Sequence, residues 1–179
     1  MELINILIRT GNRRTQFFRC LKSVLNQRYD NLRIIISVDR DCNYIPEELE
    51  IIRVIPNTNT QYFYDEYLND LKALVTEGYI LVLDDDDILT PDCLVKLDLT
   101  ALAILVKLNR AGQIYPSSLD FRRGMVGFPN LILHHSLSHI PIHGNGQGDY
   151  WWIKEVEKIT PLNYQDVIVV YSFNRGHGK

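Results

Sequence analysis

Short, mostly apolar segments recur through the first half of the chain, and segments with a helical pattern separate them. The apolar segments are rich in Ile, Val and Leu and cover residues 3–8, 32–38, 51–55 and 79–83. Apolar positions spaced three and four apart predict helices from residue 16 to 25 and from 62 to 75. Strands without polar alternation are typical of parallel sheets that helices cover on both faces. We therefore predict an α/β protein with a mostly parallel sheet flanked by helices.

Polar segments follow three of these predicted strands directly. They are residues 9–13 (RTGNR), 39–41 (DRD) and 84–87 (DDDD). The carboxyl ends of parallel strands meet at one edge of a sheet, and ligands bind there, so we expect these segments to share a site. This expectation depends only on the order of strands and helices.

The run of four aspartates at 84–87 is the strongest chemical signal. Adjacent carboxylates repel each other by about 1 kcal/mol or more per close pair unless a positive group lies among them. A divalent cation is a natural partner, because carboxylate oxygens are hard ligands that suit Mg²⁺ or Mn²⁺. The alternative is a solvated acidic turn before a helix, where the helix dipole favours negative charge. The position directly after a buried strand favours the metal site.

Two further helix starts are predicted from capping residues. Thr90 as N-cap and Pro91 in the first turn predict a helix that runs to about Leu108 and ends before Gly112. Thr15 is the predicted N-cap of the first helix.

The pattern weakens after residue 113. A glycine-rich loop at 144–148 precedes Asp149, which is predicted to cap a helix over 150–158, and residues 167–173 form a last predicted strand. Four histidines lie close together between residues 134 and 143, and their spacing differs from that of structural zinc sites; they are His134, His135, His139 and His143. We expect them to be loop residues or hydrogen-bond donors in an acceptor pocket.

Composition limits the class of protein. The net charge is −3, which argues against a nucleic-acid-binding protein, and the longest apolar run, residues 101–106, is too short for a membrane span. Three widely spaced cysteines are expected to be reduced, and they are Cys20, Cys42 and Cys93. Basic residues follow the first apolar stretch, whereas in a signal peptide they precede it. We predict a single domain over 1–179 in a cytoplasmic protein.

The order of these motifs resembles the family 2 glycosyltransferases of the GT-A (Rossmann-like) fold. The resemblance begins with the turn IRTGNR at 8–13 and the helix RCLKSVLNQRYDN at 19–31, and it continues with the strand IIISVD at 34–39. Asn69 and the segment GYILVLDDDDIL at 78–89 complete it. Order and spacing match from residue 3 to about 108.

The resemblance implies a nucleotide-sugar site in the half 1–110 and an acceptor side in the half 111–179. The implied nucleotide-sugar ligands are Thr10, Asn12, Arg13, Asp39, Asp84 and Asp85, with Asp39 reading the base. The implied metal ligands for Mn²⁺ or Mg²⁺ are Asp86 most directly, Asp84 of the same Asp-x-Asp motif, and His177. An unstructured tail is the alternative for His177.

Two positions depart from the family pattern. Gly11 stands where many members have a tyrosine that stacks on the base, so the resemblance does not identify the base. Arg40 replaces an aspartate, and it either meets a phosphate or is a surface charge.

The resemblance also implies a catalytic base at the start of a helix in the second half. Asp149 is the only acid between residues 122 and 154 and is the candidate, with a plain helix cap as the alternative. Trp151 and Trp152 are adjacent and face different directions, so we expect one in the core and the other against a sugar ring.

The sequence therefore predicts a metal-dependent, inverting glycosyltransferase that moves a single sugar from a nucleotide-diphosphate donor to a saccharide or other hydroxyl acceptor. The Gln-x-x-Arg-Trp motif of processive synthases and their membrane helices are absent from the sequence. The alternatives are a GT-A-like nucleotide-binding module without catalysis and a phosphatase with Asp84 as nucleophile. Phosphatases of that kind usually carry the motif after their first strand.

Overall fold

The computed structural model describes residues 1–11, 13–38, 44–47, 49–53, 63–143 and 148–172. The strands in this part of the chain are β1 (Ile4–Thr10), β2 (Leu32–Val38), β3 (Glu50–Arg53), β4 (Tyr79–Asp84), β5 (Asp87–Leu89), β6 (Ala103–Arg110), β7 (Gln113–Tyr115), β8 (Leu131–His134) and β9 (Asn163–Ser172). The α-helices are α1 (Arg14–Leu25), α2 (Phe63–Ala73) and α3 (Gly148–Glu157). Short 3₁₀ turns cover Leu94–Lys96, Phe128–Asn130 and His135–Leu137.

All described strands join one sheet in the order β3-β2-β1-β4-β8-β6-β9-β5, with β7 paired to β6. The first four strands of this order are parallel, as predicted. β8 is antiparallel to both β4 and β6, so β6 and its parallel partner β9 run in the same direction as β4. The carboxyl ends of β1, β4, β6 and β9 therefore lie at one edge of the sheet.

Helices cover both faces of this sheet, which explains the missing polar alternation. In β1, Ile6 and Ile8 point into the core under α1, and Leu7 points into the core under α2 and α3. All three side chains are fully buried. Burying an aliphatic side chain of this size contributes about 1.5–3 kcal/mol, so the central strand is a major source of stability.

Gly78 marks the entry to β4. Its φ of +73° lies in the left-handed region, and a Cβ atom there would lie 2.3 Å from the backbone oxygen of Leu3. Only glycine fits this close approach between the starts of β1 and β4.

The helix predicted from residue 91 to 108 is wrong. A 3₁₀ turn at Leu94–Lys96 is followed by strand β6, Ala103–Arg110. A short apolar run fits a strand buried on both faces as well as a buried helix, and periodicity alone does not distinguish them. Thr90 caps no α-helix; its hydroxyl donates to the backbone oxygen of Ile168 and fastens this segment to β9.

Smaller corrections concern element ends. Helix α1 begins at Arg14, so Thr15 is inside its first turn and Arg13 occupies the capping position. Helix α3 begins at Gly148, which places Asp149 in its first turn, and β9 begins earlier than predicted, at Asn163. No described helix has both the length and the apolar character needed to cross a bilayer.

Candidate active site

The aspartate run lies at the carboxyl edge of the sheet. Asp84 ends β4, Asp87 begins β5, and Asp85 and Asp86 form the turn between them. Because β1 is next to β4, this turn meets the end of β1 at Thr10 and the residues that lead into α1. The structure thus brings together residues that are about seventy positions apart in the sequence.

Asp85 is fully buried and is the centre of a hydrogen-bonded group. Its Oδ2 accepts a hydrogen bond from Thr10 Oγ1 at 2.7 Å and another from Arg13 Nε at 3.2 Å. Arg13 also forms an ion pair with Asp85 Oδ1 and, at 3.3 Å, with Asp86 Oδ2. Burial raises the pKa of Asp85, and the Thr10 hydrogen bond and the Arg13 charge oppose that rise. Arg13 therefore ties two carboxylates of the run together.

A second arginine neutralises the start of the run. Arg9, opposite Asp84 in the β1–β4 pairing, donates from Nε to Asp84 Oδ1 at 2.7 Å. Its guanidinium also lies 5.4 Å from the ring centroid of Phe128. Two arginines, Arg9 and Arg13, thus supply positive charge to the crowded carboxylates.

Asp87 has a structural environment. It is buried, and its backbone pairs with Ser172 of β9. Burial and the charge of Asp84 raise its pKa well above the usual range, against a hydrogen bond from Ser172. Asp87 therefore helps to hold β5 against β9.

The donor set at this turn fits a Mg²⁺ or Mn²⁺ ion that shares its coordination with a substrate. The described residues contain no group of three His, Cys, Asp or Glu side chains arranged for a metal. Ions that bind with phosphates commonly use one or two protein carboxylates and take the remaining ligands from the phosphates and water. Asp86, with its side chain 18% exposed, and Asp84, with 29%, present such oxygens at the surface of the turn.

Asp149 belongs to the same electrostatic environment. It lies in the first turn of α3, and its Oδ1 accepts a hydrogen bond from the Tyr150 amide at 2.6 Å. Burial raises the pKa of Asp149, the charges of Arg110 and Arg9 lower it, and the charge of Asp84 raises it further. The carboxylate of Asp149 therefore interacts with the edge that carries the aspartate run.

Arg110 is a charged residue of this edge that sequence reasoning missed. It ends β6 and pairs with Ser172 of β9, which in turn pairs with Asp87 of β5. Its Nη1 donates to the Gly124 oxygen at 3.0 Å. Arg110 was not recognised because residues 103–108 were predicted to be helical. A strand over the same apolar run would have placed Arg110 at the carboxyl edge of the sheet.

Tyr44 is a second missed residue. Its hydroxyl lies 3.2 Å from Thr10 Oγ1 and donates to the Gly11 oxygen. Its ring packs against Phe17 and Phe18, with centroid distances of 5.7 and 6.1 Å. A tyrosine from another segment thus lies beside the glycine that departs from the family pattern.

Two polar residues of the α1 motif hold the backbone that follows the aspartates. Ser23 Oγ accepts from the Leu89 amide at 2.9 Å, and Gln27 Nε2 donates to the Thr90 oxygen at 3.0 Å. Gln27 Oε1 also accepts from the Leu94 amide at 3.4 Å. Motif residues of α1 therefore fix the position of β5 and the segment after it.

Helix α2 holds the segment that leads toward α3. Asn69 donates to the Ile142 oxygen at 2.8 Å and accepts from the Ile142 amide at 2.9 Å. Lys72, 1% exposed, donates to the Ile140 oxygen and lies 5.0 Å from the ring centroid of Trp152. Burial lowers the pKa of Lys72 to about 7.

Several predicted residues lie outside the described part of the chain, and they are Asn12, Asp39, Arg40 and His177. Of the tryptophans, Trp152 is fully buried, as predicted for one of the pair, and Trp151 is partly exposed. The imidazole Nδ1 atoms of His134 and His139 contact Ser136 at its Oγ and its backbone oxygen.

Comparison with known proteins gives a consistent result. Residues 6–98, just over half of the chain, match the family model described as Glycosyl transferase family 2. No protein of curated function matches the chain by sequence.

Solved structures match the fold. The S. aureus TarS fragment 1–349 in complex with UDP has a TM-score of 0.73 at 14% identity, over 96% of this chain and 60% of that one. The same fragment in complex with UDP-GlcNAc has a TM-score of 0.69 at 16% identity, over 99% and 60%. The mannosyltransferase PcManGT from Pyrobaculum calidifontis, in complex with GDP-Man and Mn²⁺, has a TM-score of 0.67 at 13% identity, over 99% and 58%. The chain spans less than two thirds of these proteins, and the likeness confirms the GT-A fold.

Proposed function

Because the chain belongs to glycosyl transferase family 2, we propose that it transfers a single sugar from a nucleotide-diphosphate donor to an acceptor hydroxyl. We propose further that transfer inverts the anomeric carbon and requires Mn²⁺ or Mg²⁺. The observation that carries the proposal is the aspartate run, which lies at the carboxyl edge of the sheet with Thr10 and Arg13. Asp149 interacts electrostatically with the same edge.

The donor would bind along the ends of β1, β2 and β4. The proposed nucleotide-sugar ligands are Thr10, Asn12, Arg13, Asp39, Asp84 and Asp85. UDP, UDP-GlcNAc and GDP-Man are bound in the similar structures, which supports this class of donor without choosing the base. Tyr44, beside Gly11, is a candidate to contact the base in place of the missing tyrosine.

Asp86 and Asp84 would hold the metal, with His177 as a third candidate. A bound divalent ion would neutralise the charge of the diphosphate and so make it a better leaving group. Arg13 and Arg110, both at this edge, would add positive charge toward the same group. These residues bind and orient the donor before the sugar is transferred.

Asp149 is the proposed general base. Its carboxylate would take the proton of the acceptor hydroxyl while that oxygen forms a bond to the anomeric carbon and the bond to the diphosphate breaks. The electron pair of the broken bond leaves with the diphosphate, and the single displacement inverts the configuration. A raised pKa suits this role, because a base is most effective when its pKa is near the working pH.

A thermal-shift panel tests the proposal. UDP, GDP, CDP and dTDP are each added with and without Mn²⁺, and we expect one of them to raise the Tm only when Mn²⁺ is present. The matching nucleotide sugar is then assayed for turnover. Cleavage of simple phosphate esters would indicate a phosphatase, and binding without turnover of any donor would indicate a catalytically inactive module.

A further inference from the structure

An arginine lies stacked on an aromatic side chain next to Asp149. The guanidinium of Arg123 is 4.7 Å from the ring centroid of Trp151 and 5.9 Å from that of Tyr150. When a guanidinium stacks on a ring, the ring holds the flat face of the guanidinium. The N–H donors at the edge of the guanidinium stay available for a ligand. These donors match the oxygens of a carboxylate or a phosphate.

This arginine has an exposed basic neighbour, Arg122. Arg122 and Arg123 are both exposed, and within the described ranges neither forms an ion pair. By contrast, Lys154, one turn further along α3, is paired with Glu157 at 2.7 Å. The whole chain has a net charge of −3, so this positive surface is a local feature.

The surface is built on an ordered segment that connects to the active site. Phe121 is buried, and the Met125 amide donates to the Arg122 oxygen at 3.0 Å, which closes a turn. Arg110 donates to the oxygen of Gly124, and its charge also acts on Asp149. The two exposed arginines therefore lie on a segment that Arg110 joins to this edge, and Arg123 packs on the two residues that follow Asp149 in α3.

We propose that Arg122 and Arg123, with Trp151 beneath Arg123, bind an anionic group, carboxylate or phosphate, on the acceptor saccharide. This proposal rests on the function proposed above. The guanidinium of Arg123 lies over the Trp151 ring, where it takes the place that a stacked neutral sugar would occupy on that face. An anionic membrane surface is recognised by clusters of four to eight basic residues, and this surface has two.

The test measures binding of two anionic probes by tryptophan fluorescence at constant ionic strength. Trigalacturonate represents the carboxylates and its methyl ester is the uncharged control, whereas glucose 6-phosphate represents the phosphates and glucose is its control. We expect saturable binding of at least one anionic probe and none of its neutral control. The probe that binds identifies which anion the acceptor carries.

Two double variants localise the binding. R122Q/R123Q removes the proposed contacts, and K22Q/K96Q removes the same charge from exposed lysines elsewhere. We expect the Kd of the anionic probe to rise roughly tenfold or more in R122Q/R123Q, the size of a lost charge-assisted contact. In K22Q/K96Q we expect the Kd to change less than twofold. Equal binding by R122Q/R123Q and the wild type, or equal binding of a neutral control, would overturn the proposal.

Two further results separate this proposal from others. If neither probe binds and vesicles with 30% anionic lipid bind in an Arg122- and Arg123-dependent way, the surface faces a membrane and the proposal fails. If neither probes nor vesicles bind, it also fails. The Mn²⁺-dependent nucleotide shift should persist in R122Q/R123Q, and its absence from the wild type, with anion binding intact, would refute the proposed function alone.

Discussion

Asp86 is the side chain on which the proposed metal site depends most. It lies in the turn between β4 and β5, and its Oδ2 forms an ion pair with Arg13 Nη1 at 3.3 Å. We expect Asp86→Ala to abolish Mn²⁺-dependent stabilisation by a nucleoside diphosphate. We expect the unliganded protein to keep its Tm within a few degrees, because removing one carboxylate relieves repulsion in the run. Thermal shift with and without Mn²⁺ measures both effects.

The control for Asp86 is Asp166→Ala. Asp166 is also an aspartate in an ion pair, with Lys107, and its side chain is 83% exposed. We expect this variant to bind metal and nucleotide like the wild type. If Asp86→Ala did the same, the aspartate run would be only an acidic turn.

Asp149 supports a sharper prediction, because asparagine preserves its size and its hydrogen bond from the Tyr150 amide. Asparagine cannot take a proton at neutral pH, so Asp149→Asn should leave nucleotide binding unchanged and lower the transfer rate by roughly 10²-fold or more. Steady-state rates and the nucleotide thermal shift measure these two properties. Near-normal transfer by Asp149→Asn would mean that another residue is the base.

At the scale of helices and strands, Lys72 connects helix α2 with helix α3. Lys72 contacts the Ile140 backbone and the Trp152 ring, and so connects α2 with the segment before α3 and with α3 itself. Burial lowers its pKa from 10.5 to about 7. A lysine that loses its proton on folding links stability to pH.

The sign of this linkage is definite. Between pH 7 and about 10 the unfolded chain holds the Lys72 proton and the folded chain has released it, so the free energy of unfolding contributed by this group rises with pH, by up to about 1.4 kcal/mol per unit. Below pH 7 Lys72 is protonated in both the folded and the unfolded chain, so burial of its charge lowers the free energy of unfolding by its full amount. We expect Lys72→Met to remove this slope, measured as urea denaturation at pH 7, 8 and 9. Lys158→Met, at an exposed site, should keep the wild-type slope, and an unchanged slope in Lys72→Met would show that the ammonium is charged when buried.

Most of the parallel strands could be predicted from the sequence, and one long strand could not. Apolar segments at 3–8, 32–38 and 79–83 identified strands β1, β2 and β4, and their polar ends identified the edge where Thr10, Arg13 and the aspartates meet. Strand β6 could not be recognised, because a strand buried on both faces has the same apolar run as a buried helix. Arg110 was missed for that reason, and Tyr44 was missed because its contact with Gly11 joins segments that no local pattern relates.

At the scale of the whole molecule, three buried or half-buried carboxyl groups lie at or near the carboxyl edge of the sheet. Burial disfavours their charged forms. Burial raises the pKa of Asp85, Asp87 and Asp149 above the usual 3.8. A carboxyl with a raised folded pKa contributes stability below its unfolded pKa and loses it as pH rises through the folded pKa. The unliganded protein should therefore lose part of its stability between about pH 4 and neutrality at this edge.

Metal binding should reverse that loss, because a cation at the turn beside Asp85 favours the charged form of the carboxyl groups at this edge. We expect the gain in Tm from Mn²⁺ and the matching nucleoside diphosphate to be several degrees larger at pH 7.5 than at pH 5. The measurement is a thermal-shift titration at both values with the nucleotide in excess, and Asp86→Ala should show no gain at either. The control is the nucleoside without phosphates, which should give the same small shift at both pH values because it offers the ion no phosphate oxygens. A gain from Mn²⁺ and the diphosphate that is equal at pH 5 and 7.5 would mean that the ion binds too far from Asp85, Asp87 and Asp149 to favour their charged forms.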